Sequence, residues 1–473
     1  MKSERPLVEA LQKFVENEPY SLHVPGHKNG LLSTLPKELK KALIYDVTEL
    51  NGLDDFHHPE EAIGTAQKLL AETYGAEYSF FLVNGSTVGN LAMIYAICKQ
   101  GDTILVQRNA HKSVFHAIEL VGAKPVYLAP QWDEHTRSAG AVPLETIKKA
   151  IKRHPEARGL VLTYPTYYGM AAKNLEEQIE LCHLHHIPVL VDEAHGAHFT
   201  ASKIFPPSAL DLGADVVVQS AHKTLPAMTM ASFMHIKSKL VSDRKINHYL
   251  RMLQSSSPSY PLLASLDDAR HYISKYKESD AVYCLEKRSQ WIEALESIPE
   301  LTVIEADDPL KVCLRLTGYT GMELKVAMEE NQLYPELADM EQVLLVLPLL
   351  KHGEVYPYAE IRIRVKNAVA QLKMKKGSGQ LQTGKQYEMA SIITPNATFA
   401  EIEAMEKEWV PYMRAMDRVA ASMLIPYPPG IPLFVPGEKI TISKLGQLED
   451  LLAMNAAFQG DHRLEERLIQ VLK

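Results

Sequence analysis

Two short apolar stretches of this chain end in side chains that can do covalent chemistry. IPVLV at 187–191 is followed directly by Asp192, and DVVVQ at 215–219 is followed four positions later by Lys223. Both stretches are apolar on every face, and the connection between them is long enough for a crossover, as is typical of central strands in a parallel sheet. Because the carboxyl ends of such strands meet at one edge, we expect the acid and the lysine to lie close together.

An acid and a lysine at one sheet edge suit one cofactor, pyridoxal 5'-phosphate (PLP). The lysine amine, once it has lost its proton, forms a Schiff base with the cofactor, and the carboxylate keeps the pyridine nitrogen protonated. Each residue also has an ordinary interpretation, with Asp192 as a helix cap and Lys223 as a surface lysine. Their combination with the motifs described below favours the chemical interpretation.

Two further segments supply candidates for the same edge. A strand at 79–83 leads into a Gly-Ser-Thr turn that opens a helix, where unpaired N–H groups and the hydroxyls of Ser86 and Thr87 suit a phosphate group. Serine and threonine are also ordinary helix caps. His111 follows a strand at 103–106, and its flat ring suits stacking on a flat cofactor, with a capping or core histidine as the alternative.

An acidic segment at 46–61, DVTELNGLDDFHHPEE, has no periodic pattern. It is either a solvated loop with helix-capping acids or a loop that meets a substrate ammonium or guanidinium through Glu49, Asp54 or Asp55. The nearby His23 and His27 lack the further ligands that a metal needs, so no metal site is predicted.

Alternating strand and helix patterns predict a large α/β domain at 61–298, after an N-terminal helix and active-site loops at 1–60. The rhythm changes near residue 299, which indicates a smaller α+β domain at 299–473. Within it we predict a strand at 359–365 (AEIRIRV), a linker at 373–386 and a helix at 400–418.

Composition narrows the functional classes. The chain of 473 residues has a net charge of −8, which argues against a nucleic-acid or anionic-membrane surface, because both need a basic patch. No apolar run is long enough to span a membrane, and the N-terminus has no signal-peptide core, which predicts a cytoplasmic protein. The four cysteines form no CxxC pair and are expected to be reduced and buried.

Eight motifs together resemble the bacterial ornithine/lysine/arginine decarboxylases of the aspartate-aminotransferase fold, in particular the short members without an N-terminal wing domain. The motifs are HVPGHKNG (23–30), DVTELNGLDDFHHP (46–59), FFLVNGSTVGN (80–90), RNAHKS (108–113), YPTYYG (164–169), VDEAHGAH (191–198), SAHKTLPAMT (220–229) and PYPPGIPLFVPGE (426–438). The resemblance implies an α/β protein of PLP-dependent fold type I, with a large, mostly parallel sheet domain and a smaller C-terminal α+β domain.

The resemblance also implies roles for single residues. Lys223 is the Schiff-base lysine, Asp192 the partner of the pyridine nitrogen and His111 the stacking histidine. The phosphate is expected to be surrounded by Ser86, Thr87, Ser220 and His222. His195 corresponds to the residue near the phenolic oxygen of the cofactor. Tyr164 stands where the superfamily has a small amide or hydroxyl residue, so Thr166 is the candidate for that contact.

The activity implied is decarboxylation of a basic amino acid, with lysine or arginine favoured and ornithine possible, to the corresponding amine or polyamine precursor. Lys223 or His195 then returns a proton to the α-carbon. A homodimer or larger homo-oligomer with shared active sites is expected. The alternative is an aminotransferase or another lyase of the same fold, with Arg362 or Arg364 gripping the substrate carboxylate. A binding protein with a decayed cofactor site is a poorer fit, because every required side chain is present.

Overall fold

The computed structural model describes residues 4–374, 390–395, 397–427, 430–453 and 456–473. The chain forms two compact units, each built from two separate segments. The first unit contains residues 1–97 and 188–278, and the second contains residues 98–187 and 279–473. The domain boundaries at residues 60 and 298 stay predictions.

The first two segments each contain both helices and strands. Residues 4–97 form α1 (Pro6–Glu16), α2 (Lys37–Ala42), α3 (Ala62–Tyr74), β1 (Tyr78–Leu82) and α4 (Gly85–Ile97). Residues 98–187 form β2 (Thr103–Gln107), α5 (Lys112–Val121), β3 (Lys124–Leu128), β4 (Trp132–Asp133), β5 (Ser138–Ala139), α6 (Leu144–Arg153), β6 (Leu160–Thr163) and α7 (Leu175–Leu184).

The remaining two segments complete the units. The third contains β7 (Val189–Asp192), β8 (Val216–Gln219), α8 (Ala221–Thr224), β9 (Ser232–Ile236), α9 (Asp243–Leu253) and α10 (Tyr260–Ser274). The fourth contains α11 (Glu278–Glu296), β10 (Leu301–Glu305), β11 (Lys311–Leu316), α12 (Gly321–Glu330), β12 (Leu337–Ala338), β13 (Val343–Val346), α13 (Tyr358–Met374), β14 (Ile392–Ile393), α14 (Phe399–Ala404), β15 (Lys407–Pro411), β16 (Ile425–Pro426), α15 (Ile442–Ala453), β17 (Phe458–Gln459) and β18 (Leu468–Leu472).

In the first unit the strands lie in the order β1, β9, β8, β7. β7 and β8 are parallel, and β9 is antiparallel to both β8 and β1. Every residue of β7 and β8 is buried. This confirms the prediction that the two apolar stretches form strands covered on both faces. α4 packs directly on this sheet through Gly89, where a Cβ atom would lie 2.7 Å from Cγ1 of Val218. Only glycine allows this approach.

In the second unit β2 pairs in parallel with β3 and β6, and β14 adds an antiparallel edge to β3. A separate antiparallel sheet has the order β10, β11, β13, β12. Mostly parallel α/β strands and a small antiparallel sheet towards the C-terminus are the predicted fold class, which is therefore confirmed. The four cysteines are buried and free of disulfides, as expected.

Two secondary-structure predictions in the second unit are wrong. The stretch at 359–365, predicted as a strand, lies inside α13. The alternation of Ile and Arg covers too few residues, whereas the buried side chains of this segment, Val365, Ala368, Val369 and Leu372, have helical spacing. The helix predicted at 400–418 ends at Ala404, and β15 follows because it pairs with β18 at the far end of the chain.

Parts of two predicted segments lie outside the described residues. These are residues 375–386 of the predicted linker, and Pro428 and Pro429 within the last motif. Among the residues that the structure does describe, no helix is both long and apolar enough to cross a membrane.

Candidate active site

Lys223 and His195 meet at the ends of two neighbouring parallel strands. Lys223 lies in α8, directly after β8, and His195 follows β7. Nζ of Lys223 is 2.9 Å from Nε2 of His195, within hydrogen-bonding distance. Backbone bonding continues past the strand ends, with the Ser220 N–H donating to the Ala194 carbonyl at 3.3 Å. The amine and the imidazole are therefore held by the sheet and not by a loose loop.

Asp192, the last residue of β7, is a buried acid in the same unit. Its Oδ2 accepts a hydrogen bond from Nδ2 of Asn90 at 2.8 Å, and its Oδ1 accepts one from the Ala194 N–H at 3.2 Å. Burial raises the pKa of Asp192 from its ordinary value, while the charge of Lys223 and the two hydrogen bonds act in the opposite direction. A carboxylate in such a place favours a cationic partner.

The N-terminus of α4 gathers the hydroxyl groups predicted to bind phosphate. Oγ of Ser220 donates to Oγ of Ser86 at 2.9 Å, and the exposed Thr87 lies in the same first turn. Gly85 has φ of +76°, and no heavy atom lies within 4 Å of where its Cβ would be. The N–H groups of the first helical turn, the three hydroxyls and the open space form a donor set for an anion.

His222 is anchored beside this turn. Its backbone N–H donates to the Ala231 carbonyl at 3.2 Å, and its Nδ1 lies 3.1 Å from the same oxygen. Because a carbonyl oxygen only accepts, Nδ1 carries the proton. A phosphate contact through Nε2 would require the doubly protonated imidazolium, in which both ring nitrogens donate.

His111, in the second unit, is the N-cap of α5. Its Nδ1 accepts a hydrogen bond from the Ser113 N–H at 3.3 Å, so the capping role weighed from the sequence is present. Capping uses a nitrogen in the ring plane and is compatible with stacking through a ring face. The backbone of Gly430 packs on the ring edge, where an added Cβ would lie 3.2 Å from both Cδ2 and Nε2.

Thr166, also in the second unit, is buried in a tight turn after β6. Its N–H donates to the Met170 carbonyl at 2.9 Å, and its Oγ1 accepts from the Met170 N–H at 3.1 Å. The hydroxyl proton is not used by this second bond, so Oγ1 retains its capacity to donate. Tyr164, two positions earlier, is buried in the core.

The acids of the loop at 46–61 separate into different roles. Asp54 caps α3, since its carboxylate accepts from the backbone N–H groups of Glu60, Glu61, Ile63 and Gly64 at 2.9–3.2 Å, in addition to that of Asp55 at 2.9 Å. Asp55 accepts from the N–H groups of His57 and His58 at 2.7 and 3.2 Å. Glu49 accepts from Oγ1 of Thr48 at 2.5 Å. These contacts favour the capping interpretation for Asp54 and show that Asp55 stabilises a local turn at His57 and His58.

The two arginines of the aminotransferase alternative lie on α13. Nε of Arg362 donates to the Ala294 carbonyl at 2.9 Å, and its Nη2 donates to Oγ of Ser297 at 3.1 Å. Arg364 forms an ion pair with Glu360 at 2.5 Å, one turn away on the same helix. Both guanidinium groups are thus engaged with α11 or with their own helix.

Two residues with roles at these sites were not assigned from the sequence. Asn90 holds Asp192, and the signal available in the sequence was an amide directly before the apolar run that continues α4. Gly430 packs on His111, and its φ of +86° gives a second reason for glycine there. Among the described residues, no cluster of three or more His, Cys, Asp or Glu side chains is placed to hold a metal ion.

Comparison with protein families gives matches along most of the chain. The model of the Orn/Lys/Arg decarboxylase major domain matches residues 5–312, and the model of the C-terminal domain of that family matches residues 380–461.

Individual relatives match over nearly their full length. The uncharacterized protein YaaO of Bacillus subtilis (strain 168) is 45% identical over 477 residues, covering 98% of each chain. Arginine decarboxylase of the same organism is 32% identical over 491 residues, covering 99% of this chain and 98% of the relative. The crystal structure of the Francisella novicida lysine decarboxylase LdcF aligns with a TM-score of 0.78 at 19% identity, covering 99% of this chain and 81% of that one.

Proposed function

The chain belongs to the Orn/Lys/Arg decarboxylase family, and from that premise we propose that it is a PLP-dependent enzyme that decarboxylates a basic amino acid. The family and the fold type I predicted from eight motifs are both confirmed. The observation that carries the proposal is the 2.9 Å approach of Lys223 to His195 beside the buried Asp192.

Arginine is the first substrate to consider and lysine the second. The relatives at 32–33% identity over almost the whole chain are named arginine decarboxylases, while those named lysine decarboxylases are 23–25% identical. Ornithine stays possible. The product in each case is the corresponding amine or polyamine precursor.

The residues present fit the cofactor. Lys223 supplies the amine for attachment, Asp192 a buried carboxylate for the ring nitrogen, and the first turn of α4 with Ser86, Thr87 and Ser220 the donors for the phosphate. His222 would add a further phosphate contact. On motif resemblance, His111 would stack on the ring and Thr166 would contact the phenolic oxygen.

When bound, PLP supplies an electron sink that accepts the electron pair left by the departing carboxylate. Asp192 favours the protonated ring nitrogen on which this depends. Its position is fixed by Asn90 and the Ala194 N–H, so the carboxylate needs no rearrangement during the reaction. Burial disfavours the negative charge of Asp192, and a protonated ring nitrogen beside the carboxylate would offset this cost.

Lys223 and His195 are proposed to manage the proton. An ammonium has three donors and no acceptor, so Nε2 of His195 accepts while Lys223 is charged. Either group can then give a proton to the α-carbon of the substrate as a general acid. His195 is buried, which shields the proton from exchange with bulk water.

Recognition of the distal end of the substrate calls for an acid. Glu49 is the remaining candidate in the loop at 46–61, because the carboxylates of Asp54 and Asp55 are taken up by backbone N–H groups. We propose that the chain acts as a homodimer or larger homo-oligomer with shared active sites, in the cytoplasm, where buried cysteines stay reduced.

The experiment that tests the proposed function is carbon dioxide release by the PLP-loaded protein with arginine, lysine and ornithine supplied separately. Release from arginine or lysine that is lost in Lys223→Ala would support decarboxylation and name the substrate. Amino-group transfer to a keto acid without carbon dioxide release would support the aminotransferase alternative. No release and no transfer with any of the three would overturn the proposal.

A further inference from the structure

Next to Asp192 lies a second carboxyl group that the proposed reaction does not use. Glu193 is fully buried. Its Oε1 accepts from the Ala209 N–H at 2.7 Å, and its Oε2 accepts from Oγ of Ser208 at 2.9 Å and from Nε2 of Gln219 at 2.6 Å. The last of these bonds joins the end of β7 to the end of β8.

The bonding continues across the sheet beyond Gln219. Oε1 of Gln219 lies 3.1 Å from Nε2 of His235, and Nδ1 of His235 lies 2.8 Å from Oγ of Ser79. Burial lowers the pKa of His235 to about 3, so its ring is neutral and has one donor and one acceptor nitrogen. A single hydrogen-bonded chain thus runs through β7, β8, β9 and β1.

This hydrogen-bonded chain of side chains lies on the face of the sheet opposite to Asp192. Val218 and Asp192 are register partners, and Val218 faces α4, because Cβ of residue 89 would lie 2.7 Å from it. Side chains alternate along a strand, so Gln219 points to the other face. Glu193 follows Asp192 and meets Gln219 there.

The turn that carries His195 is held at both of its ends. Glu193 is fixed as described, and the Ala197 carbonyl accepts from the hydroxyl of Tyr74 at 2.8 Å. The ring of Tyr74 stacks on that of His235, with 4.4 Å between ring centroids. His195 lies between the two fixed points.

We propose that Glu193 and Gln219 are positioning residues that set the separation of His195 and Lys223. The inference rests on the proposed function, since it concerns the same pair of groups. Gln219 immediately precedes the turn into α8, and Glu193 lies two positions before His195. Directional bonds between buried polar groups fix the relative position of two strand ends more sharply than apolar contact does.

Three variants separate positioning from other effects. Gln219→Met keeps the length of the side chain and breaks its bonds to Glu193 and His235. Glu193→Gln is the conservative variant, which can keep a bond to Gln219 by amide rotation but can no longer ionise. Asp215→Asn is the matched control, because Asp215 is also a buried carboxylate that accepts from a backbone N–H and a serine hydroxyl, but lies before the start of β8.

The first readout is made without cofactor. The rate at which an amine-specific reagent modifies Lys223 is followed against pH by peptide mass spectrometry, and the midpoint of that profile is recorded. In Gln219→Met we expect the midpoint to fall by about one pH unit, the size that loss of one hydrogen bond to a charged group produces. Glu193→Gln and Asp215→Asn should keep the wild-type midpoint.

The second readout is the visible absorbance of the PLP-loaded protein as a function of pH. A wild-type chain with no absorbance band would count against the proposed function and not against the positioning role. A shifted midpoint in Glu193→Gln together with a wild-type midpoint in Gln219→Met would assign the effect to charge and overturn the proposal. Equal midpoints in all variants would overturn it as well. If Gln219→Met does not fold, Glu193→Met breaks the same bond and is judged in the same way.

Discussion

Nζ of Lys223 lies 2.9 Å from Nε2 of His195, and the two residues reach this distance from the ends of adjacent parallel strands. An amine and an imidazole so placed can pass a proton along this hydrogen bond, since each has a nitrogen that can accept it. Asp192 at the end of β7 adds the negative charge that the same chemistry needs.

Replacing His195 with Gln should impair the chemical step. The amide can hydrogen-bond to Lys223 but cannot carry a proton at neutral pH, so kcat should fall by about 10²–10⁴-fold with little change in KM. Steady-state kinetics with the preferred substrate measures this. An unchanged kcat would assign the whole proton transfer to Lys223.

Asp192→Asn should leave the protein folded. It should still take up PLP, because Lys223, the proposed point of attachment, is intact. Its decarboxylation rate should fall by about 100-fold or more, since the fixed charge beside the ring nitrogen is gone. Rate and visible absorbance are measured on the same sample. A variant with wild-type turnover would show that Asp192 is not the partner of the ring nitrogen.

Glu438→Gln should destabilise the second unit. Glu438 is buried and bonded to Nε of Arg108 at 2.7 Å and to Nζ of Lys444 at 2.5 Å, and both cations are also buried. Removing the acid leaves two uncompensated charges, at a cost of about 3–5 kcal/mol in the free energy of unfolding. Denaturant unfolding measures the loss.

A matched control for Glu438 is the exposed ion pair between Lys439 and Asp417, with 62% of each side chain accessible. Lys439→Ala should change stability by no more than about 1 kcal/mol.

The stabilising effect of Glu438 should also depend on pH. Although burial favours the protonated form, the charges of Arg108 and Lys444 hold the pKa of Glu438 down at about 2. Its stabilising contribution is therefore complete above pH 5 to 6 and is lost as the pH falls towards 2. Equal acid sensitivity in Glu438→Gln and wild type would contradict this.

Glu193 should make stability depend on pH in the opposite sense. Burial raises its pKa to about 8, so between the pKa of the unfolded chain and pH 8 the folded protein binds more protons than the unfolded one. The wild type should therefore lose up to about 1.4 kcal/mol per pH unit relative to Glu193→Gln as the pH rises towards 8. Paired unfolding curves at pH 6, 7 and 8 measure the difference, and parallel curves would contradict the expectation.

The sequence predicts the parts of the protein in which local pattern and topology agree. β7 and β8 read as strands buried on both faces, and that was enough to bring Asp192, His195 and Lys223 to one sheet edge. The bond between Glu193 and Gln219 could not be predicted, because it depends on strand register on the far face of the sheet.

Two other features depended on information outside the local pattern. From the sequence, Asp54 could not be distinguished from the other two candidate acids of its loop. In the structure its carboxylate bonds to the start of α3, whereas that of Glu49 bonds to Thr48. The alternation at 359–365 predicted a strand because the helical spacing of buried residues becomes visible only over the full length of α13. A longer window would have favoured the helix.

The most direct test of the account is to find where the cofactor is attached. The PLP-loaded protein is treated with borohydride, which makes the bond between lysine and cofactor permanent, and its peptides are mapped by mass spectrometry. The account predicts a single modified residue, Lys223, and no modification in Lys223→Ala. Attachment at another lysine, or no attachment in the wild type, would contradict it.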